Sequence, residues 1–193
     1  MTAADDLLHR FYTTPPDRVM IALAPLLIGA AVYDVRYRKI PNWLTLGGVL
    51  LGFAINFAIG PPEGGILFAL GGFVVGFGIF ICLYALRATG AGDVKLMSAV
   101  GALVGWERWF GIFFATAIVG SLMAIALVAA RGRLKRTLFN VGFILSEMKH
   151  GRPAYVGKEE LDVRSPKAVG LPHGAVIAIA TVFFLVVAAR LTH

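Results

Sequence analysis

Long apolar runs constrain this chain more than any other feature of its sequence. Short stretches of proline, glycine and charged residues separate the runs, and an apolar helix of about 20 residues is enough to span the hydrocarbon core of a bilayer. The runs cover Val19–Val35, Trp43–Ile59, Ile66–Leu86, Val94–Gly105, Trp109–Ala130 and Leu171–Leu191. This pattern predicts an all-α, polytopic membrane protein with about six transmembrane helices.

The composition also indicates that the chain folds in a lipid bilayer. Hydrophobic residues make up 58% of the 193 residues and charged residues 15%, whereas soluble domains are about 45–50% apolar and about 25% charged. A net charge of +7 would suggest nucleic-acid binding in a soluble protein. In a membrane protein such an excess is typical of cytoplasmic loops, so we expect the bilayer as a partner and no nucleic acid.

The positions of lysine and arginine predict the orientation. If the N-terminus lies outside, the loops inside cover residues 36–42, 87–95 and 131–170, and these hold 14 of the 18 basic residues. Cytoplasmic loops carry such an excess. The fourth run is short for a span and contains Lys95, but helices beside a polar cavity can be short. We therefore expect both termini outside and residues 131–170 as a cytoplasmic loop.

The chain divides into a short N-terminal segment, residues 1–18, and a single transmembrane domain, residues 19–193. The N-terminal segment is charged and lacks the features of a cleaved signal peptide. Within the cytoplasmic loop, apolar residues between Leu138 and Met148 predict a helix at the membrane interface. Glycine pairs in the second and third runs predict close helix packing within the chain. The alternative is that they form a homodimer interface. These pairs are Gly48 and Gly52, and Gly72 and Gly76.

Two acids lie where a charge is costly. Nine of the 11 Asp and Glu residues lie in loops, at the N-terminus or beside helix ends, whereas Asp34 and Asp93 lie within or at the boundary of apolar runs. A carboxylate at bilayer depth costs a few kcal/mol, so it should face the bundle interior and have a partner or a function. In the predicted topology Asp34 ends an inward-running helix and Asp93 begins an outward-running one. Both carboxylates therefore lie at the cytoplasmic edge, where they can meet.

A pair of carboxylates in a poorly hydrated site can perform aspartic-protease chemistry. The two like charges do not both ionise easily, so the pair shares a proton. The ionised member can take a proton from water while the protonated member polarises a scissile carbonyl. This chemistry needs no metal ion and no cofactor, and we expect neither. Two structural alternatives stay open: an ion pair of Asp34 with the basic residues 36–39, and an N-cap formed by Asp93.

The residue types beside the acids fit such a site. Gly90 and Gly92 offer a backbone with little bulk, which an extended substrate can approach and bond. Pro41 suits the first turn of the second helix, and Asn42 can cap or turn there. Lys95 is either an interfacial lysine with its stem in the apolar region or a group that tunes the nearby acid or contacts substrate.

These stretches resemble a known family. Residues 34–42 read Asp-Val-Arg-Tyr-Arg-Lys-Ile-Pro-Asn, residues 90–96 read Gly-Ala-Gly-Asp-Val-Lys-Leu, and residues 171–175 read Leu-Pro-His-Gly-Ala. Together they resemble the type IV prepilin peptidases, which are membrane aspartic proteases with a Gly-x-Gly-Asp motif. The short length is similar to that of the CpaA/TadV-like branch, which serves Flp pili.

The resemblance implies a function and a set of site residues. It implies that Asp34 and Asp93 are catalytic, and that the chain removes the leader from Flp-type prepilins at the cytoplasmic face of the bacterial inner membrane. Other residues that match the two motifs are expected to bind substrate or shape the site. They are Gly90, Gly92, Lys95, Pro41 and Asn42. Larger relatives also N-methylate the product, using a cytoplasmic insertion that often has paired Cys-x-x-Cys motifs. Because this chain has one cysteine and no such insertion between its first two helices, we expect no methylation.

Two other functions fit the same acids. A small transporter or proton-relay protein uses intramembrane acids as ion ligands, but its acids should be distributed through the depth of the membrane. Here both lie at one face, which favours the peptidase. A preflagellin peptidase shares the Gly-x-Gly-Asp motif, and the sequence separates it poorly from the prepilin enzymes.

Overall fold

The fold is a bundle of α-helices. The computed structural model describes residues 15–61, 64–132 and 172–192, and within these ranges it contains helices, turns and no strand. The helices are α1 (Asp17–Tyr37), α2 (Asn42–Ile59), α3 (Ile66–Ala85), α4 (Ala91–Ala130) and α5 (His173–Thr192). The prediction of an all-α protein is confirmed.

Five helices among the described residues are long and apolar enough to cross a membrane. The chain is therefore a multi-pass membrane protein, as predicted. The count of six spans and the sides of the two termini stay predictions. Most of the N-terminal segment, and the interfacial helix predicted between Leu138 and Met148, lie outside the described residues.

Helix α4 is broken at Gly105, where the sequence predicts a gap between two helices. The φ and ψ angles of Gly105 are 77° and 170°, a left-handed conformation that glycine adopts without steric cost. The Trp109 indole Nε1–H donates to the Met97 carbonyl oxygen at 3.0 Å. In a straight helix twelve residues span about 18 Å, which is too far for this bond. The chain therefore doubles back at Gly105, and the two parts of α4 lie side by side.

The break leaves carbonyl groups at the end of the first part of α4 without their usual helical partners. The side chain of Asn56 on α2 replaces some of those partners. Its Nδ2 group donates to the carbonyls of Ala102 and Leu103 at 2.9 and 3.1 Å, and Asn56 itself is only 1% exposed. Unpaired backbone carbonyls are costly inside a bilayer, so Asn56 stabilises the broken helix.

The glycine pairs pack against α4 within the chain. A Cβ atom at Gly76 would lie 2.6 Å from the Met97 carbonyl oxygen, and one at Gly52 would lie 2.8 Å from the Ala102 carbonyl carbon. Both distances are shorter than real Cβ contacts, so only glycine allows the backbones to come this close. The prediction of intramolecular packing is confirmed, and the first part of α4 becomes the buried centre of the bundle.

Candidate active site

Asp34 lies in the last turn of α1, and its side chain is 9% exposed. Its Oδ2 atom accepts a hydrogen bond from the backbone N–H of Gly174 at 2.7 Å. Gly174 is the second residue of α5, and the first N–H groups of a helix have no partner within that helix. The bond therefore satisfies one of these groups and fixes the carboxylate of Asp34 against the start of α5.

Asp93 lies in the first turn of α4, and its side chain is 7% exposed. Its Oδ2 atom accepts the backbone N–H of Gly90 at 3.1 Å, while its own N–H donates to the Gly90 carbonyl at 3.1 Å. This reciprocal pair closes the N-terminus of α4. Gly90 is therefore the N-cap residue and Asp93 the third helical residue, so the alternative of an N-cap at Asp93 is wrong by three positions.

The segments that carry the two acids meet around Ile40, which is 9% exposed. A Cβ atom at Gly92 would lie 3.4 Å from Ile40 Cβ, and one at Gly174 would lie 3.0 Å from Ile40 Cδ1. Ile40 thus packs against the first turns of both α4 and α5. The carboxyl group of Asp93 interacts electrostatically with His173 and with Asp34. The structure therefore brings both aspartates to one end of the bundle and within electrostatic range of each other.

Lys95 and Asn42 also contact each other. The Lys95 ammonium donates to the Asn42 Oδ1 atom at 2.8 Å, which links α4 to the first residue of α2. Pro41 is the residue immediately before α2, with φ −63° and ψ 139°. The sequence predicts it within the first turn of that helix, so it lies one position before the predicted place. Around an α-helix, residues two apart are separated by about 200°. Lys95 therefore faces α2, on the side of α4 away from Asp93.

Four residues of this site did not follow from the sequence. Gly174 and His173 come from α5, some 140 residues from Asp34, and Ile40 is one apolar residue among many. The fourth is Thr89, which is 8% exposed. Its Oγ1 atom has no hydrogen-bond partner among the described residues. The Pro-His-Gly start of the last helix was the one signal available, and it could not be placed without the tertiary structure.

The arrangement offers two buried carboxyl groups, each held by one backbone N–H, beside a turn that begins with glycine. Carboxyl groups that share a proton can activate water and polarise a carbonyl without further groups. Within residues 15–61, 64–132 and 172–192, no three His, Cys, Asp or Glu side chains lie together in a way that could hold a metal ion. The fold and site thus define a multi-pass helical membrane protein with two buried aspartates at one end of the helix bundle.

Comparison with known proteins identifies the family. The sequence model of the type IV leader peptidase family matches residues 21–125, which is more than half of the chain and includes Asp34 and Asp93. The chain belongs to the type IV leader peptidase family. No solved structure matches it.

Curated relatives carry the name prepilin leader peptidase/N-methyltransferase. One from Myxococcus xanthus is 29% identical over 133 residues, which cover 65% of this chain and 39% of the relative. One from Burkholderia pseudomallei is 29% identical over 119 residues, covering 58% of this chain and 38% of the relative. One from Neisseria gonorrhoeae is 28% identical over 119 residues, covering 58% and 41%. The chain therefore spans about two fifths of the length of these relatives.

Proposed function

We propose that this protein is a membrane-embedded aspartic endopeptidase that removes the leader peptide from type IV prepilins, with Asp34 and Asp93 as the catalytic pair. One observation carries the proposal. Two buried carboxyl groups on different helices lie at one end of the bundle, and each accepts a backbone N–H. Membership of the type IV leader peptidase family and the names of the relatives support the same reaction.

The proposed mechanism is water attack on the scissile carbonyl. The ionised carboxylate takes a proton from the water as the water oxygen bonds the carbonyl carbon, and the protonated carboxyl gives its proton to the carbonyl oxygen. The tetrahedral intermediate then collapses: the carbon–nitrogen bond breaks, the leaving amine takes a proton from one carboxyl, and a hydroxyl of the intermediate returns a proton to the other carboxylate. The hydrogen bonds from Gly174 and Gly90 keep both carboxyl groups in position, so little reorganisation is needed during the reaction.

The substrate would approach along the start of α4. Gly90 has an extended backbone, with φ −85° and ψ 158°, whereas Gly92 already belongs to the helix. An extended peptide can therefore lie beside Gly90, next to Thr89, whose buried hydroxyl has no partner in the described part of the chain. A peptide carbonyl or N–H that bonds this hydroxyl would satisfy it and hold the scissile bond near the acids.

The proposal includes a location and a substrate class. The predicted orientation puts the site at the cytoplasmic face of the bacterial inner membrane, because the loops on that side carry the basic residues. The resemblance to the short branch of the family favours Flp-type prepilins. The relatives are named for cleavage and N-methylation, and the expectation that this chain cleaves without methylating stays a prediction.

Co-expression with a Flp-type prepilin tests the proposal. Asp34→Asn and Asp93→Asn should each abolish the gel shift that reports leader removal, because each variant loses a carboxyl group without a change in size. Both variants should still insert into the membrane and fold.

Asp17→Asn is the matched control, since Asp17 is exposed at the opposite end of α1. It should leave processing unchanged. Processing at the normal rate by either Asp34→Asn or Asp93→Asn would overturn the catalytic pair. If the protein processes a preflagellin but not the prepilin, the catalytic pair remains part of the proposal and the proposed substrate class changes.

A further inference from the structure

A cavity lies between α2, α3 and α4, on the side of α4 that faces away from Asp93. Its volume is about 330 Å³, near the lower end of the range for small-molecule sites, about 300–1,000 Å³. Neither Asp34 nor Asp93 lines it. Most of its wall is formed by Thr45, Leu46, Val49, Phe73, Phe77 and Ser98.

The wall is apolar even where it contains hydroxyl groups. The Thr45 hydroxyl donates to the Asn42 carbonyl at 3.1 Å, and the Ser98 hydroxyl donates to the Val94 carbonyl at 2.7 Å. Both bonds lie within single helices, so these hydroxyls need no partner from a ligand. The cavity therefore suits an alkyl chain better than a polar molecule.

One end of the cavity is polar and positively charged. Lys95 and Asn42 line this end, and the bond between the Lys95 ammonium and the Asn42 Oδ1 atom is 2.8 Å long. Asn42 is a neutral acceptor, so this bond does not neutralise the charge of Lys95. The ammonium is exposed and has further donors for an anionic group.

The cavity reaches the outer surface of the bundle. Along α2 it extends from Asn42 to Val49, which corresponds to about 10 Å of helix. Two wall residues, Leu46 and Phe77, are 58% and 44% exposed, so a chain can enter from the side. The charged end lies level with the first turn of α4, and the predicted orientation puts that turn in the cytoplasmic leaflet.

We propose that this cavity binds an anionic phospholipid of the cytoplasmic leaflet, with one acyl chain against the phenylalanines and the phosphate on Lys95. Charge complementarity favours this occupant, since basic pockets between transmembrane helices on the cytoplasmic side bind anionic head groups. The apolar wall suits the part of an acyl chain that lies next to the head group. The proposal does not depend on peptidase activity, because lipid binding can be measured on its own.

Native mass spectrometry of the purified full chain in a non-ionic detergent tests this site. Phosphatidylglycerol should bind more tightly than phosphatidylcholine with the same acyl chains. Lys95→Gln should weaken phosphatidylglycerol binding about five-fold and reduce the preference between the two lipids. Val49→Trp should weaken binding of both lipids at least about ten-fold, because each methylene excluded from the cavity costs roughly four-fold.

Matched control variants distinguish lipid binding in the cavity from lipid binding elsewhere on the protein surface. Leu50→Trp adds the same side chain at the neighbouring, lipid-exposed position of α2, and Arg131→Gln removes a charge at an exposed position after α4. Neither should change lipid binding. Leu46→Trp fills the cavity from a more exposed position. It should weaken binding of both lipids in the same way, and it replaces Val49→Trp in the test if that variant folds poorly.

Equal retention of the two lipids by the wild type, or unchanged binding in both tryptophan cavity variants, would overturn the proposal. So would a rise in KM for prepilin in these variants with lipid binding intact, because the cavity would then hold substrate.

Discussion

The hydrogen bond between Gly174 and Asp34 predicts an unusual effect of Gly174→Ala. A Cβ atom at this position would lie 3.1 Å from both Cβ and Oδ2 of Asp34 and 3.0 Å from Ile40 Cδ1. Ordinary contacts begin near 3.4 Å, so the carboxyl group or the start of α5 has to move by a few tenths of an ångström. The bond of 2.7 Å then lengthens, and the carboxyl group leaves its position.

The magnitude follows from the energy of such a bond. A hydrogen bond to a charged group contributes about 1.5–3 kcal/mol. Losing roughly half of the upper value, about 1.4 kcal/mol, lowers a rate about ten-fold. We therefore expect kcat/KM for prepilin cleavage to fall about ten-fold. Alanine is favoured over glycine in a helix by up to about 1 kcal/mol, which offsets the local crowding, so Tm should change little.

The assay is cleavage of a purified prepilin by the enzyme in lipid vesicles, with Tm measured on the same samples. Gly78→Ala is the matched control, because a Cβ atom at Gly78 meets no atom within 4 Å, and it should cleave at the wild-type rate. A folded Gly174→Ala protein with wild-type kcat/KM would refute the role of this bond. A fall in activity that only follows a fall in Tm would refute it as well, since the effect would then be structural.

Three further variants probe other contacts. Asn56→Leu should lower the free energy of unfolding by about 1–3 kcal/mol, because the carbonyls of Ala102 and Leu103 lose their donor; denaturation in detergent measures this, and an unchanged midpoint would contradict it. Gly105→Ala should destabilise the protein by more than about 1 kcal/mol, because alanine disfavours a φ of 77° and its Cβ meets the Phe68 ring; equal stability would contradict the sharp reversal of α4. Thr89→Val should lower kcat/KM about two- to ten-fold while stability stays equal or rises, because the buried hydroxyl has no partner in the described chain; unchanged kcat/KM would exclude substrate contact there.

The helices could be predicted because hydropathy and helix breakers act locally. The second run ends at Ile59 and the third begins at Ile66, both in the prediction and in the structure. These ends could be predicted because a stretch rich in glycine and proline lies between the two runs. The hydropathy pattern places the start of α4 at Val94, three residues after the helix begins at Ala91. Its first turn contains the polar Asp93, and Gly90 caps this turn. A hydropathy pattern does not detect such a cap.

The site could be predicted only in part. Asp34 and Asp93 stood out because carboxylates are costly in apolar runs, and the charge pattern put them on one side. Their fixed orientation depends on α5, and the bond from Gly174 joins residues 140 positions apart. The contact of Lys95 with Asn42 spans 53 positions. Such contacts follow from how the helices pack, which no local pattern in one sequence encodes.

The convergence of the two acids is the central claim, and cross-linking tests it most directly. In a Cys82→Ala background, which removes the exposed native thiol, Asp34→Cys combined with Asp93→Cys should be joined efficiently by a short bifunctional thiol reagent in membranes. Asp17→Cys combined with Asp93→Cys should not, because 17 residues of α1 separate Asp17 from Asp34 by about 26 Å. Failure of the first pair to cross-link, with both thiols accessible to a monofunctional reagent, would contradict a shared active site.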